Sequence, residues 1–125
     1  MSSFRVVVIG AGETGTPLLQ QLLTADFVTV LGFADLDLNQ PGIALATMHD
    51  VQTTSNFMDL IALGTEVDIM IDVTGAHAVR ETLRKAMVES GNNHTIIMHE
   101  RIAMLMLSLS AGKLIEGKHG DEDYV

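Results

Sequence analysis

Cysteine is missing altogether from the 125 residues, which excludes disulfides and thiolate chemistry and fits a reducing compartment. Basic residues are scarce: 7 Lys and Arg stand against 16 Asp and Glu, a formal charge of −9. No nucleic acid and no anionic membrane is therefore expected as a partner, and a phosphate-bearing ligand has to be held by backbone dipoles rather than a basic patch. Long apolar runs are lacking too. The longest, Ile102 to Leu107, falls far short of the ~20 residues that span a membrane. With no cationic, apolar, small-residue leader at the start, a cytoplasmic protein is expected. Five histidines without an H-x-x-H spacing, and no cysteine, do not make a zinc site. The length suits one domain and leaves no room for a second, catalytic one.

What is present is concentrated at the front. Phe4-Arg5-Val6-Val7-Val8-Ile9 is a β-branched apolar run, stopped by Gly10-Ala11-Gly12-Glu13-Thr14-Gly15 and followed by Pro17-Leu18-Leu19-Gln20-Gln21-Leu22-Leu23. That pattern reads as a buried strand, a tight turn and a helix, the setting a G-x-G-x-x-G motif requires. Gly10 permits the sharp turn, Gly12 lets the backbone approach a pyrophosphate, and Gly15 lets the helix pack closely on the strand. With Glu13 and Thr14 between them, these residues are the expected phosphate cradle. The helix N-terminus offers it amide hydrogens and about half a positive charge.

A second strand, Phe27 to Ala34, ends in Asp35 about twenty residues past the last glycine, where a ribose-binding carboxylate belongs. An acid there accepts hydrogen bonds from ribose hydroxyls and repels a 2′-phosphate. NAD is thus the expected dinucleotide rather than NADP, with Asp35 and the adjoining Leu36 on the ribose.

The rest of the chain alternates. Pro41-Gly42 opens a helix through Met48, Val51-Gln52-Thr53-Thr54 is a third strand, and Ser55 reads as the N-cap of a helix over 56–63 that Gly64 stops. A fourth strand covers 67–73 and is broken by Thr74-Gly75. A helix from His77 carries Val79, Leu83, Ala86 and Met87 on one face and ends at Gly91. The fifth strand covers 94–98, and a helix runs from about Glu100 to Leu114 or Ile115. Right-handed crossovers then predict an α/β fold with one doubly wound parallel sheet of five strands, a Rossmann domain, in the order 3-2-1-4-5. Residues 1–117 are expected to form this domain and 118–125, with Asp121-Glu122-Asp123, an acidic tail.

The order reverses between strands 1 and 4, so the ligand crevice should be bordered by the loops after Ile9 and after Val73. Thr74, Gly75 and His77 then face the glycine turn and are candidates for the nicotinamide ribose, against the plain alternative of a helix cap and a surface histidine. His99 and Glu100 follow strand 5 and are weak candidates for an acid and base pair, although adjacent residues at a strand end usually point apart. The run Ile102 to Leu107 is apolar all round if helical, where an edge helix needs one apolar stripe. Either the helix is wedged within the monomer, or a twin copy, a missing domain or a partner chain covers it, with a homodimer as first choice.

Val8-Ile9-Gly10-Ala11-Gly12-x-x-Gly15, Gly32-Phe33-Ala34-Asp35 and Val67 through Gly75 resemble the N-terminal domain of oxidoreductases related to glucose-fructose oxidoreductase, aspartate dehydrogenase and dihydrodipicolinate reductase, over about residues 4 to 100. The resemblance implies that Gly10, Gly12 and Gly15 bind pyrophosphate, Asp35 the adenosine ribose, and Thr74 with Gly75 the nicotinamide side. Met98-His99-Glu100-Arg101 departs from the Glu-Lys-Pro motif of the first group, so neither its catalytic lysine nor its proline is present. The stretch from Asp35 through Arg101 looks more loosely like nucleotide-binding domains at the front of some bacterial sensor kinases. Three functions follow: an NAD(H)-binding module that senses or carries the dinucleotide, an NAD-dependent oxidoreductase acting as a dimer or cut from a longer dehydrogenase, and a binder of coenzyme A or a flavin. Asp35 speaks against the third, because coenzyme A with its 3′-phosphate lacks a free ribose diol.

Overall fold

A computed structural model describes residues 2–10, 12 and 14–115. The expected acidic tail and Glu13 lie outside the described residues. The elements run β1 (Phe4–Ile9), α1 (Gly15–Thr24), β2 (Val28–Ala34), α2 (Pro41–Met48), β3 (Thr53–Thr54), α3 (Met58–Ile61), β4 (Ile69–Asp72), α4 (His77–Ser90), β5 (Ile96–His99) and α5 (Glu100–Ala111), with a 3₁₀ turn at Gly64–Glu66. The five strands form one sheet in the order β3-β2-β1-β4-β5, every pair parallel. This is the doubly wound Rossmann topology that the alternation of periods predicts.

A parallel sheet is buried on both faces, and alternate residues of each strand serve different faces. Val6, Val8, Phe33 and Ile71 pack with Leu18 and Leu19 of α1, Ile43 and Ala46 of α2, and Ala103 and Leu107 of α5. Val7, Ile9, Ala34 and Met70 meet Leu60 of α3 and Leu83 of α4 on the other side. Full burial of side chains such as Leu19, Phe33 and Leu83 contributes roughly 1.5–3 kcal/mol each. The register is the feature that matters for function: Ala34 pairs with Ile9, Ile9 with Asp72, and Asp72 with His99. One straight row thus crosses the carboxyl ends of β2, β1, β4 and β5.

Boundaries moved where side chains compete with the backbone. Ser55 does not cap α3. Instead Thr54 Oγ1 accepts the Asn56 amide at 3.0 Å and Asn56 Oδ1 accepts that of Met58 at 3.1 Å, which delays the helix to Met58. Asn92 Oδ1 likewise takes the amides of His94 and Thr95, so β5 opens at Ile96, two residues after the expected start at 94. The last helix stops at Ala111 because Gly112 adopts a left-handed φ of 73°, and the Lys113 amide bonds back to the Ser108 carbonyl at 3.2 Å.

At the amino ends of β1 and β4, away from the crevice, Asp68 is buried beside Arg5. The arginine donates through Nη2 to Oδ1 at 3.0 Å and through Nε to Oδ2 at 3.2 Å, its backbone amide adds 2.8 Å to Oδ2, and His94 Nε2 lies 2.7 Å from Oδ1. The Arg5 guanidinium, then its amide, then His94 hold the Asp68 carboxyl well below the usual carboxylate range. A depressed carboxyl contributes stability that is complete above its unfolded pKa of about 3.9 and is lost as pH falls through the folded value. Asp68→Asn is therefore expected to lower the urea midpoint at pH 7, with the gap to the parent narrowing from about pH 5 downward. Parallel midpoints at pH 7 and pH 3 would contradict this.

Candidate functional site

Backbone geometry builds the site. Gly10 ends β1 with φ 100°, a region an L side chain rarely enters. Its amide donates to the Ala34 carbonyl at 2.7 Å, and a Cβ on it would stand 3.3 Å from Thr74 N and Cγ2. Gly15 begins α1 so close to the turn that a Cβ would overlap the Gly10 carbonyl oxygen and lie 2.9 Å from its carbon. Gly12 is the reverse case: among the described residues nothing lies within 4 Å of its Cβ position. Gly12 therefore presents bare backbone to open space.

That space is a cleft of about 700 Å³ whose wall includes Gly10, Gly12, Thr14, Asp35, Leu36 and Thr74, within the usual size range for a small-molecule site. The Thr14 side chain makes no capping hydrogen bond to α1; its hydroxyl turns instead to Met104 Sδ at 3.4 Å. First-turn amides of a helix need acceptors from outside it, and a bound phosphate is a suitable one. Asp35 shares the wall of the cleft, its Oδ1 fixed by the Asp37 amide at 2.8 Å and its own amide on the Thr54 carbonyl at 3.1 Å. Leu36 is almost fully exposed beside it. An open phosphate cradle and a held carboxylate, one strand apart, fit a dinucleotide.

Across the switch point the candidates separate. Thr74 lines the cleft, and its Oγ1 accepts the Ala76 amide at 3.2 Å. Gly75 sits outside the wall with φ 66°. His77 lies on the exposed first turn of α4, with Nε2 4.0 Å from Glu81 Oε1, and does not face the cleft. His99 and Glu100 part as adjacent residues at a strand end should. His99 Nδ1 is 2.9 Å from Asp72 Oδ2, while Glu100, the first residue of α5, is buried.

Sequence reading passed over Asp72. It is 3% exposed, yet Oδ1 accepts both the amide and the hydroxyl of Thr74, at 3.0 and 2.6 Å. The available signal was a second acid, four residues after Asp68, interrupting an otherwise apolar strand. Among the described residues no group of three or more His, Asp or Glu is arranged to hold a metal, and no helix is long and apolar enough to cross a membrane.

A family model described as the NAD-binding domain of homoserine dehydrogenase matches residues 10–101. Acetaldehyde dehydrogenase 2 of Salinispora arenicola is 32% identical over 78 residues, which is 61% of this chain and 26% of that protein. An acetaldehyde dehydrogenase of Shewanella pealeana is 30% identical over 87 residues, 67% of this chain and 28% of the relative. The chain thus spans about a quarter of the length of the curated relatives it matches. Two solved structures share the fold. GenD2 from gentamicin A biosynthesis, in complex with NAD, superposes with a TM-score of 0.60 at 20% identity over 90% of this chain and 32% of its own. The UDP-N-acetylglucosamine 3-dehydrogenase GnnA from Acidithiobacillus ferrooxidans gives 0.58 at 19% identity, over 90% and 36%.

Proposed function

The chain belongs to the family of homoserine dehydrogenase NAD-binding domains, and from that membership we propose that it is the dinucleotide-holding part of an NAD-dependent dehydrogenase whose substrate is brought by a second unit. The observation that carries the reading is the cradle: open space over Gly12, a Thr14 side chain that does not cap α1, and Asp35 in the wall of the same cleft. Gly10, Gly12 and Gly15 shape the pyrophosphate turn, Thr14 belongs to its wall, and Asp35 with Leu36 borders the adenosine ribose. Thr74, followed by Gly75, lies toward the nicotinamide; His77 stands further out on α4.

When bound, NAD supplies the hydride-accepting ring. The chain supplies orientation, because amides and a carboxylate at fixed positions remove the freedom a dinucleotide has in water. A wide cleft does not exclude water from a reacting centre, which is why a second unit is required.

The outer face of α5 offers a place for it. Ala103 and Leu107 are buried, whereas Leu105 and Met106 are 53% and 51% exposed and Leu109 is 73% exposed. We assign this face to self-association, since symmetric pairing is the commonest way to cover such a patch. Sedimentation velocity is expected to give twice the chain mass, and Leu105→Glu a single chain mass with its circular dichroism spectrum unchanged. A monomeric parent would leave the face to a catalytic domain.

Calorimetric titration with NAD⁺, NADH and NADPH tests the central reading, and no affinity for the first two would end it. An absorbance screen at the NADH band against small hydroxy acids, oxo acids and short aldehydes tests the dehydrogenase; the aldehydes enter because the curated relatives are named for acetaldehyde. Binding without any turnover would favour a module that senses or carries the dinucleotide.

A further inference from the structure

His99 occupies the N-cap position of α5, but no side-chain hydrogen bond caps that helix. Its ring turns instead to Asp72, with Nδ1 at 2.9 Å from Oδ2. The other oxygen of Asp72 already takes the amide and hydroxyl of Thr74, so this buried carboxylate holds three donors at once. A carboxylate has only acceptors to give, which requires the proton of a neutral His99 ring to sit on Nδ1. Nε2 then carries the lone pair, and 26% of the side chain is open to solvent.

Position gives this arrangement its meaning. The row Ala34, Ile9, Asp72, His99 crosses four strand ends, each about 4.8 Å from the next. Asp35, just past Ala34, stands at the ribose end, and Gly10, just past Ile9, at the pyrophosphate turn. A dinucleotide laid from β2 to β1 continues toward β4 and β5 with its second nucleoside. Thr74 lines the cleft, whereas His99 stands outside its wall, beyond β4; the carboxylate that fixes Thr74 is the one that fixes His99.

We propose that His99 is the proton-transfer group of this site and Asp72 its positioning residue, serving a substrate with a hydroxyl or carbonyl group. The proposal rests on the NAD-dependent dehydrogenase reading. In the oxidative direction the substrate carbon loses its C–H pair as hydride to the nicotinamide, the hydroxyl proton passes to His99 Nε2, and the C–O bond becomes a carbonyl. The ring leaves that step as an imidazolium, whose charge Asp72 faces; its proton departs to solvent through the exposed edge. Reduction runs the same transfers backward.

Imidazole ¹⁵N spectra of the full chain, taken where the rings are neutral, test it directly. His99 is expected in the Nδ1–H tautomer, turning toward Nε2–H in Asp72→Asn, whose amide can donate to Nδ1. Saturating NAD⁺ should shift the His99 ring signals while those of His94, at the opposite end of the sheet, stay in place. His99→Gln should lower turnover about 100-fold on any alcohol the parent oxidises. An Nε2–H tautomer in the parent, unmoved His99 signals with NAD⁺ bound, or undiminished turnover in His99→Gln would each overturn the proposal alone. Failure of NAD⁺ to bind at all would take the dehydrogenase reading down with it.

Discussion

Gly15→Ala is expected to destabilise the fold and abolish dinucleotide binding together, whereas Gly12→Ala should weaken binding alone. The added methyl at position 15 would overlap the Gly10 carbonyl and crowd Val73 Cγ2 at 3.3 Å. The first obstacle is backbone, so it cannot rotate away, and either the turn or α1 must shift. Overpacking of this kind costs about 1–3 kcal/mol, a fall of roughly 3–15 °C in the thermal midpoint for a chain of this size. The same shift drags the amide cradle out of place. A methyl at position 12 meets nothing among the described residues within 4 Å, so stability should change by no more than about 0.5 kcal/mol. It would nevertheless stand in the space over the turn, and NAD⁺ affinity should fall at least about tenfold, or 1.4 kcal/mol. Thermal melts with and without NAD⁺ separate the two effects, because a ligand that binds only the folded state raises its midpoint. If Gly12→Ala bound NAD⁺ as the parent does, the phosphates would not lie over this turn.

The contrast between these glycines also marks what is legible in sequence. Spacing predicts that Gly10, Gly12 and Gly15 have different tasks, because a strand, a turn and a helix must join within six residues. Topology was legible for a related reason: a strand followed by a helix can return to a parallel neighbour in only one hand, and the pairing of β1 with both β2 and β4 follows. Where a polar side chain captures a nearby amide, periodicity is blind. Thr54 and Asn56 shorten α3, and Asn92 delays β5, through bonds between residues two or three apart that leave the apolar pattern untouched. Asp72 was hidden for a third reason. Its partners Thr74 and His99 are 2 and 27 residues away, and only the register of β4 on β5 brings the histidine to it. The apolar run of α5 was visible, but which residues face the sheet depends on the helix's seat, which puts Ala103 and Leu107 inward and Leu105 and Met106 outward.

Asp35 should decide between dinucleotides. Its Oδ1 already accepts the Asp37 amide, so Asp35→Asn can keep that turn through its own carbonyl oxygen while removing the charge. A charge-assisted hydrogen bond to a ribose hydroxyl is worth about 1.5–3 kcal/mol, hence NAD⁺ should bind about 10- to 100-fold more weakly to the variant. NADP⁺ should move the other way. In the parent its 2′-phosphate meets a carboxylate in a chain of formal charge −9, with Asp37 next in line, and NAD⁺ should be preferred by about 100-fold or more, or roughly 2.8 kcal/mol. Replacing the charge lowers that repulsion without adding a cation, so the preference should shrink toward parity rather than invert. Competition binding of the two dinucleotides at a single ionic strength measures the ratio directly, because exposed charges are screened over about 10 Å at 0.1 M salt. Should the parent take NADP⁺ as readily as NAD⁺, or should Asp35→Asn leave the ratio where it was, the carboxylate would not be facing the ribose, and the orientation of the whole dinucleotide in the cleft, Thr74 and His99 included, would have to be reversed.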